Sequence, residues 1–262
     1  MAPFDLIAPP YAASGLVVGL LVGLTGVGGG SLMTPLLILL FGVHPTTAVG
    51  TDLLFAAATK SVGTAAHGSG GSVDWRVVGR LAAGSVPATA ACVLALSWLG
   101  APGPAVEHLI AVVLGVALLL TAASLLLRAR IVAYASRRFG EPRPERAALL
   151  TVATGAGLGV LVSLSSIGAG ALGITVLVLL YPRLPIARVV GSDIAHAVPL
   201  TLIAGLGHWY LGAVDWGLLA SLLAGSVPGI IVGSLLAARV PEPVLRPLLA
   251  GTLLLVGTRL VP

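Results

Sequence analysis

The chain alternates long apolar segments with short breaks rich in proline and glycine. Each apolar segment has enough residues to cross the roughly 30 Å hydrocarbon layer as a helix, which takes about 20 residues. Pairs such as His44-Pro45 and the run Gly100 to Pro104 separate neighbouring segments. We therefore predict an all-α polytopic membrane protein. The predicted apolar segments cover residues 12–41, 45–69, 75–99, 103–127, 148–181, 185–211, 214–238 and 242–260.

The first apolar segment is interrupted by the run Thr25 to Ser31, which contains four glycines. As one straight helix the segment would be about 45 Å long at about 1.5 Å per residue, well beyond the thickness of the hydrocarbon layer. Glycine costs about 1 kcal/mol in a helix interior. Within a membrane, irregular backbone survives where it is buried in protein or lines a cavity. The run therefore predicts two half-helices that meet at a polar point.

The two halves of the chain are duplicates. Val73 to Pro87 and Val214 to Pro228 share nine of fifteen residues at a displacement of 141. The same displacement pairs Gly50-Thr51-Asp52 with Gly191-Ser192-Asp193. At a displacement of 140, Gly28 and Gly30 of the first break match Gly168 and Gly170 of a second break. The polar break thus occurs once in each half.

Arginine positions favour an inverted relation between the halves. If each broken segment turns back as a re-entrant hairpin, every half has three full spans and almost all arginines fall on one face. The positive-inside rule then makes that face cytoplasmic. We predict residues 1–127 as the first transmembrane repeat, 128–147 as a basic cytoplasmic loop and 148–262 as the second repeat. The arginines on the cytoplasmic face are Arg76, Arg80, Arg128, Arg130, Arg137, Arg138, Arg143, Arg146, Arg183, Arg188, Arg239 and Arg246.

Composition agrees with a membrane protein, because 57% of the residues are hydrophobic, 9% are charged and the mean hydropathy is +1.08. The net charge of +5 comes from loop arginines and sets orientation. It forms no basic face with interleaved aromatic residues, so we expect no nucleic-acid partner. The single cysteine, Cys92, excludes a multi-cysteine metal site. We predict that the protein needs no metal and no cofactor. Membrane lipid is the partner that we expect around the spans. A homo-oligomer remains open.

The two breaks are candidate sites for a small anion. A half-helix that begins at a break directs free N–H groups and about half a positive charge at it. Serine hydroxyls next to the breaks add donors. The alternative is that the glycines only permit close helix packing, as small residues often do in membranes. The candidate substrate-binding residues are Gly28, Gly29, Gly30, Ser31, Ser165, Ser166, Gly168 and Gly170.

Lys60 is a further candidate substrate contact, since ionisable residues within spans are costly and often functional. It lies deep in its span, where pairing with Asp52 or reaching toward the interface are the alternatives.

Asp52 and Asp193 are predicted either to couple transport to protons or to anchor the hairpins by capping N–H groups. His196 lies one turn after Asp193 and could pair with it. For His67 and His208, near the ends of their helices, a structural role is at least as plausible.

Two Asp-Trp pairs begin spans in corresponding places. We predict that Asp74 and Asp215 are helix N-caps. Trp75 and Trp216 are predicted to anchor those helices at the membrane interface.

These motifs together resemble the TauE/SafE family of sulfite exporter-like permeases. The resemblance rests on the Gly26 to Gly30 run, the Gly50-Thr51-Asp52 turn, and the twin Asp-Trp and Ala-Gly-Ser-Val-Pro segments, and it covers nearly the whole chain. It implies transport of small sulfur-containing anions, such as sulfite, thiosulfate or organosulfonates, across a bacterial cytoplasmic membrane. The resemblance leaves the particular anion open.

Two other classes of function are weaker. An intramembrane hydrolase would need a nucleophile motif, but no G-x-S-x-G or H-E-x-x-H occurs in the sequence. An accessory protein without transport would not explain why the break occurs twice. No phosphate-binding loop is present either, so a secondary carrier is expected. Export of a monovalent anion from a negative interior gains about 2.3 kcal/mol per 100 mV, so a uniporter or a proton-linked carrier would suffice.

Overall fold

The computed structural model describes residues 8–25, 30–69, 73–139, 142–236 and 242–260. These residues form ten helices and no strand, which confirms the all-α prediction. The helices are α1 (Pro9–Thr25), α2 (Gly30–Phe41), α3 (Pro45–Ser69), α4 (Trp75–Trp98), α5 (Pro104–Phe139), α6 (Pro144–Ser165), α7 (Ala171–Leu180), α8 (Ile186–Tyr210), α9 (Trp216–Leu236) and α10 (Glu242–Leu260).

In the described part of the chain, five helices are long and apolar enough to cross a membrane, namely α4, α5, α6, α8 and α9. The chain is thus a multi-pass membrane protein. Helix α3 also has the length of a span, with 25 residues. It is less apolar because it carries Asp52, Lys60 and several small or polar residues. This helix lies in the protein interior, where it packs against α2, α5, α8 and α9.

The basic segment predicted as a loop is largely helical. Helix α5 continues through Arg128 to Phe139 and spans 36 residues. Arginine and alanine are good helix formers, so nothing ends the helix at the point where the apolar pattern stops. At 1.5 Å per residue α5 is about 54 Å long, so its last turns extend beyond an apolar layer of about 30 Å. Pro144 then begins α6.

Both predicted N-caps are confirmed. Asp74 Oδ1 accepts hydrogen bonds from the backbone N–H groups of Arg76 and Val77, at 3.0 and 3.3 Å. Asp215 Oδ1 accepts one from Leu218 N–H at 2.9 Å. Trp75 and Trp216 follow these caps and are exposed, as interface anchors would be.

The two Asp-Trp turns also make matching contacts with the opposite half. Asp74 N–H donates to Ser192 Oγ at 2.8 Å, and Asp215 N–H donates to Thr51 Oγ1 at 3.1 Å. In each case a residue just beyond the end of one long helix contacts a residue near the start of its counterpart. Helices α3 and α8 therefore run antiparallel to each other.

Equivalent glycines in the two halves make equivalent close contacts with a neighbouring helix. Helix α4 packs on α6, and α9 packs on α1. A methyl group at Gly84 would overlap the backbone carbonyl of Val152 in α6, and one at Gly225 would overlap that of Ala12 in α1. Gly84 and Gly225 are equivalent in the duplication. These contacts explain the repeated Ala-Gly-Ser-Val-Pro motif, whose glycine allows two helices to touch through their backbones.

Candidate functional site

The second break is an irregular segment between two helices, as predicted. Helix α6 ends at Ser165, and Ser166 takes the left-handed conformation with φ 57°. Gly168 and Gly170 follow with φ of 129° and 122°, a region that side-chain-bearing residues rarely adopt. Helix α7 then starts at Ala171. The glycines are needed here because the chain must leave one helix and begin another within five residues.

The first break is described only in part. Helix α1 ends at Thr25 and α2 begins at Gly30, which agrees with an interruption there. Gly28 and Gly29 lie outside the described residues, as do the side chains of Ser31 and His67.

Asp52 connects the first half-helix to the second break. It is fully buried, and its Oδ2 accepts a hydrogen bond from the hydroxyl of Thr34 in the first turns of α2. The hydroxyl of Ser166, in the opposite half, lies close to the same carboxylate. Neither Asp52 Oδ1 nor Ser166 Oγ has a hydrogen-bond partner. The side chain therefore anchors α2, as one alternative predicted, and also presents a free oxygen atom.

Asp193 occupies the corresponding place at the start of α7. It is 1% exposed, and the backbone amide of Gly170 lies near its carboxylate. Its Oδ1 packs against Gly173, where a methyl group would overlap it. Oδ1 has no hydrogen-bond partner. Each half thus places an aspartate at the beginning of a half-helix.

Lys60 is the basic residue that both of these carboxylates attract. It is 6% exposed and interacts electrostatically with both Asp52 and Asp193. Among the described residues, its ammonium has no ion-pair partner within 4.0 Å and no hydrogen bond. The predicted pairing with Asp52 is therefore a longer-range attraction, so the ammonium keeps its hydrogen-bonding capacity.

His196 adds a polar group on one side only. Its Nε2 forms a hydrogen bond of 2.9 Å with Ser85 Oγ of α4, and it also interacts with Lys60. Its Nδ1 has no partner. The predicted pairing partner was Asp193, but the observed one is Ser85. Phe55 occupies the equivalent position in the first half, so this contact has no counterpart there.

Two predicted serine and histidine residues have local roles. Ser165 Oγ contacts the carbonyl of Leu161 at 2.6 Å and the N–H of Ile167 at 3.2 Å. To bind a substrate it would have to give up these contacts. His208 is buried and its Nε2 lies 2.9 Å from the carbonyl oxygen of Ser163, which fits a structural role.

Several buried polar atoms without partners belong to residues that interact electrostatically with Lys60 or lie next to Asp52. Buried polar groups in proteins are nearly always hydrogen-bonded, so such a concentration marks a location for water or a polar ligand. We call this group the central polar cluster. The described cavities of about 510 and 260 Å³ are lined by other residues. The cluster comprises Asp52 Oδ1, Ser166 Oγ, Asp193 Oδ1, His196 Nδ1 and the ammonium of Lys60.

Sequence reasoning missed Thr34 and Ser85. Ser85 belongs to the repeated Ala-Gly-Ser-Val-Pro motif, so the duplication could have pointed to it. Thr34 lies four residues beyond Gly30, within an apolar helix, and no pattern distinguishes it.

The fold and the cluster define a class, a polytopic helical membrane protein with interrupted helices around buried charges, as in many secondary transporters. The sequence model of the sulfite exporter TauE/SafE family matches residues 11–260, and the chain belongs to this family. It is a membrane transporter rather than an enzyme.

Two curated relatives cover most of the chain. The probable membrane transporter protein YjnA of Bacillus subtilis (strain 168) is 38% identical over 255 residues, which cover 94% of this chain and 97% of the relative. A probable membrane transporter protein of Xylella fastidiosa (strain 9a5c) is 28% identical over 226 residues, covering 82% and 79%. No solved structure matches the chain significantly.

Proposed function

We propose that this chain is a secondary transporter that moves small sulfur-containing anions, such as sulfite, thiosulfate or organosulfonates, out of a bacterial cell across its cytoplasmic membrane. The family description supports the substrate class. The same description names an exporter, which supports the direction. The relatives are bacterial, which supports the location.

The observation that carries the proposal is Lys60, which is 6% exposed and whose ammonium has no hydrogen bond and no ion pair within 4.0 Å among the described residues. A buried charge is costly unless it is paired and hydrogen-bonded. An oxyanion can provide that pairing. Ser166 Oγ can donate a further hydrogen bond, and the first N–H groups of α7 can add positive potential. The substrate site then comprises Lys60, Ser166, Gly168 and Gly170, with Gly30 and Ser31 contributing from the first break.

We also propose that the halves are inverted repeats, each with a re-entrant hairpin and three spans. Helices α3 and α8 are equivalent in sequence and run antiparallel, as the paired contacts of Asp74 and Asp215 require. For helices that cross a membrane, this relation corresponds to a two-fold axis in the membrane plane. Labelling of single cysteines introduced beside Trp75 and Trp216, in a Cys92→Ser background, tests it. Labelling of both from the same side of the membrane would contradict the inversion.

Transport is tested by following labelled sulfite, thiosulfate and methanesulfonate in proteoliposomes. Lys60→Met keeps the length of the side chain and removes the charge. We expect it to reduce flux at least about tenfold, equivalent to about 1.4 kcal/mol. Ser166→Ala should weaken flux by a smaller factor, because it removes one hydroxyl. Ser14→Ala is the matched control, since the Ser14 hydroxyl bonds the carbonyl of Pro10 far from the cluster.

Two outcomes of this experiment would contradict parts of the proposal. Flux of none of the three anions would contradict the proposed substrate class. Flux that is unchanged in both Lys60→Met and Ser166→Ala would instead contradict the proposed site.

A further inference from the structure

We propose that Asp193 holds a proton whenever the anion is bound, so that the protein moves one anion together with one proton. This inference rests on the proposed function. The proton enters the central polar cluster together with the anion.

The balance of charge in the central polar cluster favours a bound proton. With all three groups ionised, Asp52 and Asp193 contribute two negative charges and Lys60 one positive charge, a net charge of −1. A monovalent anion would raise this to −2 among residues that are at most 6% exposed. Uncompensated buried charge is strongly unfavourable. One added proton returns the occupied cluster to −1, the same net charge as the empty cluster.

The Asp193 carboxylate and the anion compete for the same helix end. The start of α7 offers the N–H groups and positive potential that an anion would use. The carboxylate of Asp193 already lies there, beside the amide of Gly170 and against Gly173. An ionised carboxylate in this position repels the anion. A protonated one can donate its O–H to an anion oxygen, and the unpartnered Oδ1 is available for that bond.

Asp52 is less suited to this role. Its Oδ2 accepts the Thr34 hydroxyl, which holds the beginning of α2. Protonation would weaken that hydrogen bond, because a charged acceptor is stronger than a neutral one. No side-chain hydroxyl of the described residues bonds Asp193, so its protonation disrupts less of the structure.

Lys60 is the ionisable group that interacts with Asp193, and Asp52 and His196 in turn interact with Lys60. Lys60 supplies the positive charge for the anion. His196 is the rival proton carrier, because its Nδ1 is also unpartnered. It bonds Ser85 of α4 through Nε2. The experiment must therefore separate His196 from Asp193.

The test measures the Kd of methanesulfonate, a monoanion between about pH 5 and pH 8, by calorimetry on the purified protein. Thiosulfate, a dianion over the same range, serves as a second probe of binding only. If one proton is bound with each anion, Kd rises about tenfold for each pH unit over the range where empty Asp193 is ionised. We expect Asp193→Asn to abolish this dependence. His196→Asn should retain it. Asp215→Asn is the matched control, since Asp215 caps α9 outside the cluster and asparagine also caps helices.

A second measurement does not depend on a variant that might fail to fold. In weakly buffered proteoliposomes, wild-type flux of methanesulfonate should carry about one proton per anion in the same direction, by charge balance. Binding with a Kd that does not change with pH, or flux without proton movement, would overturn the inference and leave the proposed function standing. Dependence lost in His196→Asn but kept in Asp193→Asn would overturn it as well. Absence of binding for all probes at every pH would overturn both.

Discussion

A single methyl group at Gly84 should separate two helices that touch through their backbones. In Gly84→Ala the new Cβ would stand 2.7 Å from Ala156 N and 2.9 Å from the carbonyl carbon of Val152, where ordinary contact begins at 3.4 Å. Both neighbours are backbone atoms of α6, so no side chain can rotate away. Helix α4 must move by several tenths of an ångström or more. Overpacking of this kind costs about 1–3 kcal/mol.

Gly79, in the same helix, is the matched control. A methyl group there meets no atom within 4 Å. Both substitutions gain the same helix propensity of about 1 kcal/mol, which therefore cancels in their comparison. We expect Gly84→Ala to be less stable than Gly79→Ala by about 1–3 kcal/mol, with a Tm lower by about 2–4 °C for each kcal/mol.

Thermal unfolding in detergent, followed by loss of the monodisperse peak, measures the difference. The equivalent substitution Gly225→Ala should be destabilising to a similar extent, because its Cβ would stand 2.8 Å from Leu16 N. Equal Tm values for Gly84→Ala and Gly79→Ala would refute the close packing of α4 on α6. A penalty at Gly84 without one at Gly225 would refute the reciprocal arrangement of the two halves.

Two further predictions concern the aspartates. Thr34→Val removes the hydroxyl that bonds Asp52 with little change of shape. It should lower the free energy of unfolding by about 1.5–3 kcal/mol, measured by thermal unfolding, because the lost bond is to a carboxylate. Thr34→Ser should retain most of this stability, and equal losses in both variants would show that the hydroxyl is unimportant. Gly173→Ala forces the Asp193 carboxylate to move. The Kd of the anion, measured by calorimetry, should therefore change at least about tenfold, or about 1.4 kcal/mol. An unaltered Kd would show that the position of this carboxylate does not matter.

The fold class and the breaks could be predicted because they depend on short-range rules. Hydrophobic segments of span length predict helices in any membrane protein. Ser166 to Gly170 interrupt a helix because of their own backbone preferences, which the sequence displays directly. Asp74 and Asp215 cap the helices that follow them, again a local effect. Such features do not depend on which helices become neighbours.

The composition of the cluster depends on long-range packing, and here the sequence was less informative. Asp52 and Ser166 are 114 positions apart in the chain, and no periodicity relates them. His196 had an obvious partner one turn away in Asp193, but the packing of α8 on α4 gave it Ser85 instead. The continuation of α5 to Phe139 does not follow from the apolar pattern, which ends before it, because arginine is a good helix former outside the apolar layer as well.

The halves share their scaffold but differ at the cluster. In the paired contacts, the backbone N–H of Asp74 or Asp215 donates to a hydroxyl of the opposite half, that of Ser192 or Thr51. The cluster contains Lys60 opposite Thr201 and His196 opposite Phe55, so its ligands are not duplicated. Two symmetric lysines would hold a small anion in two equivalent places or too tightly to release. In the proposed transporter, one lysine that attracts two aspartates would offer a single position for one negative charge.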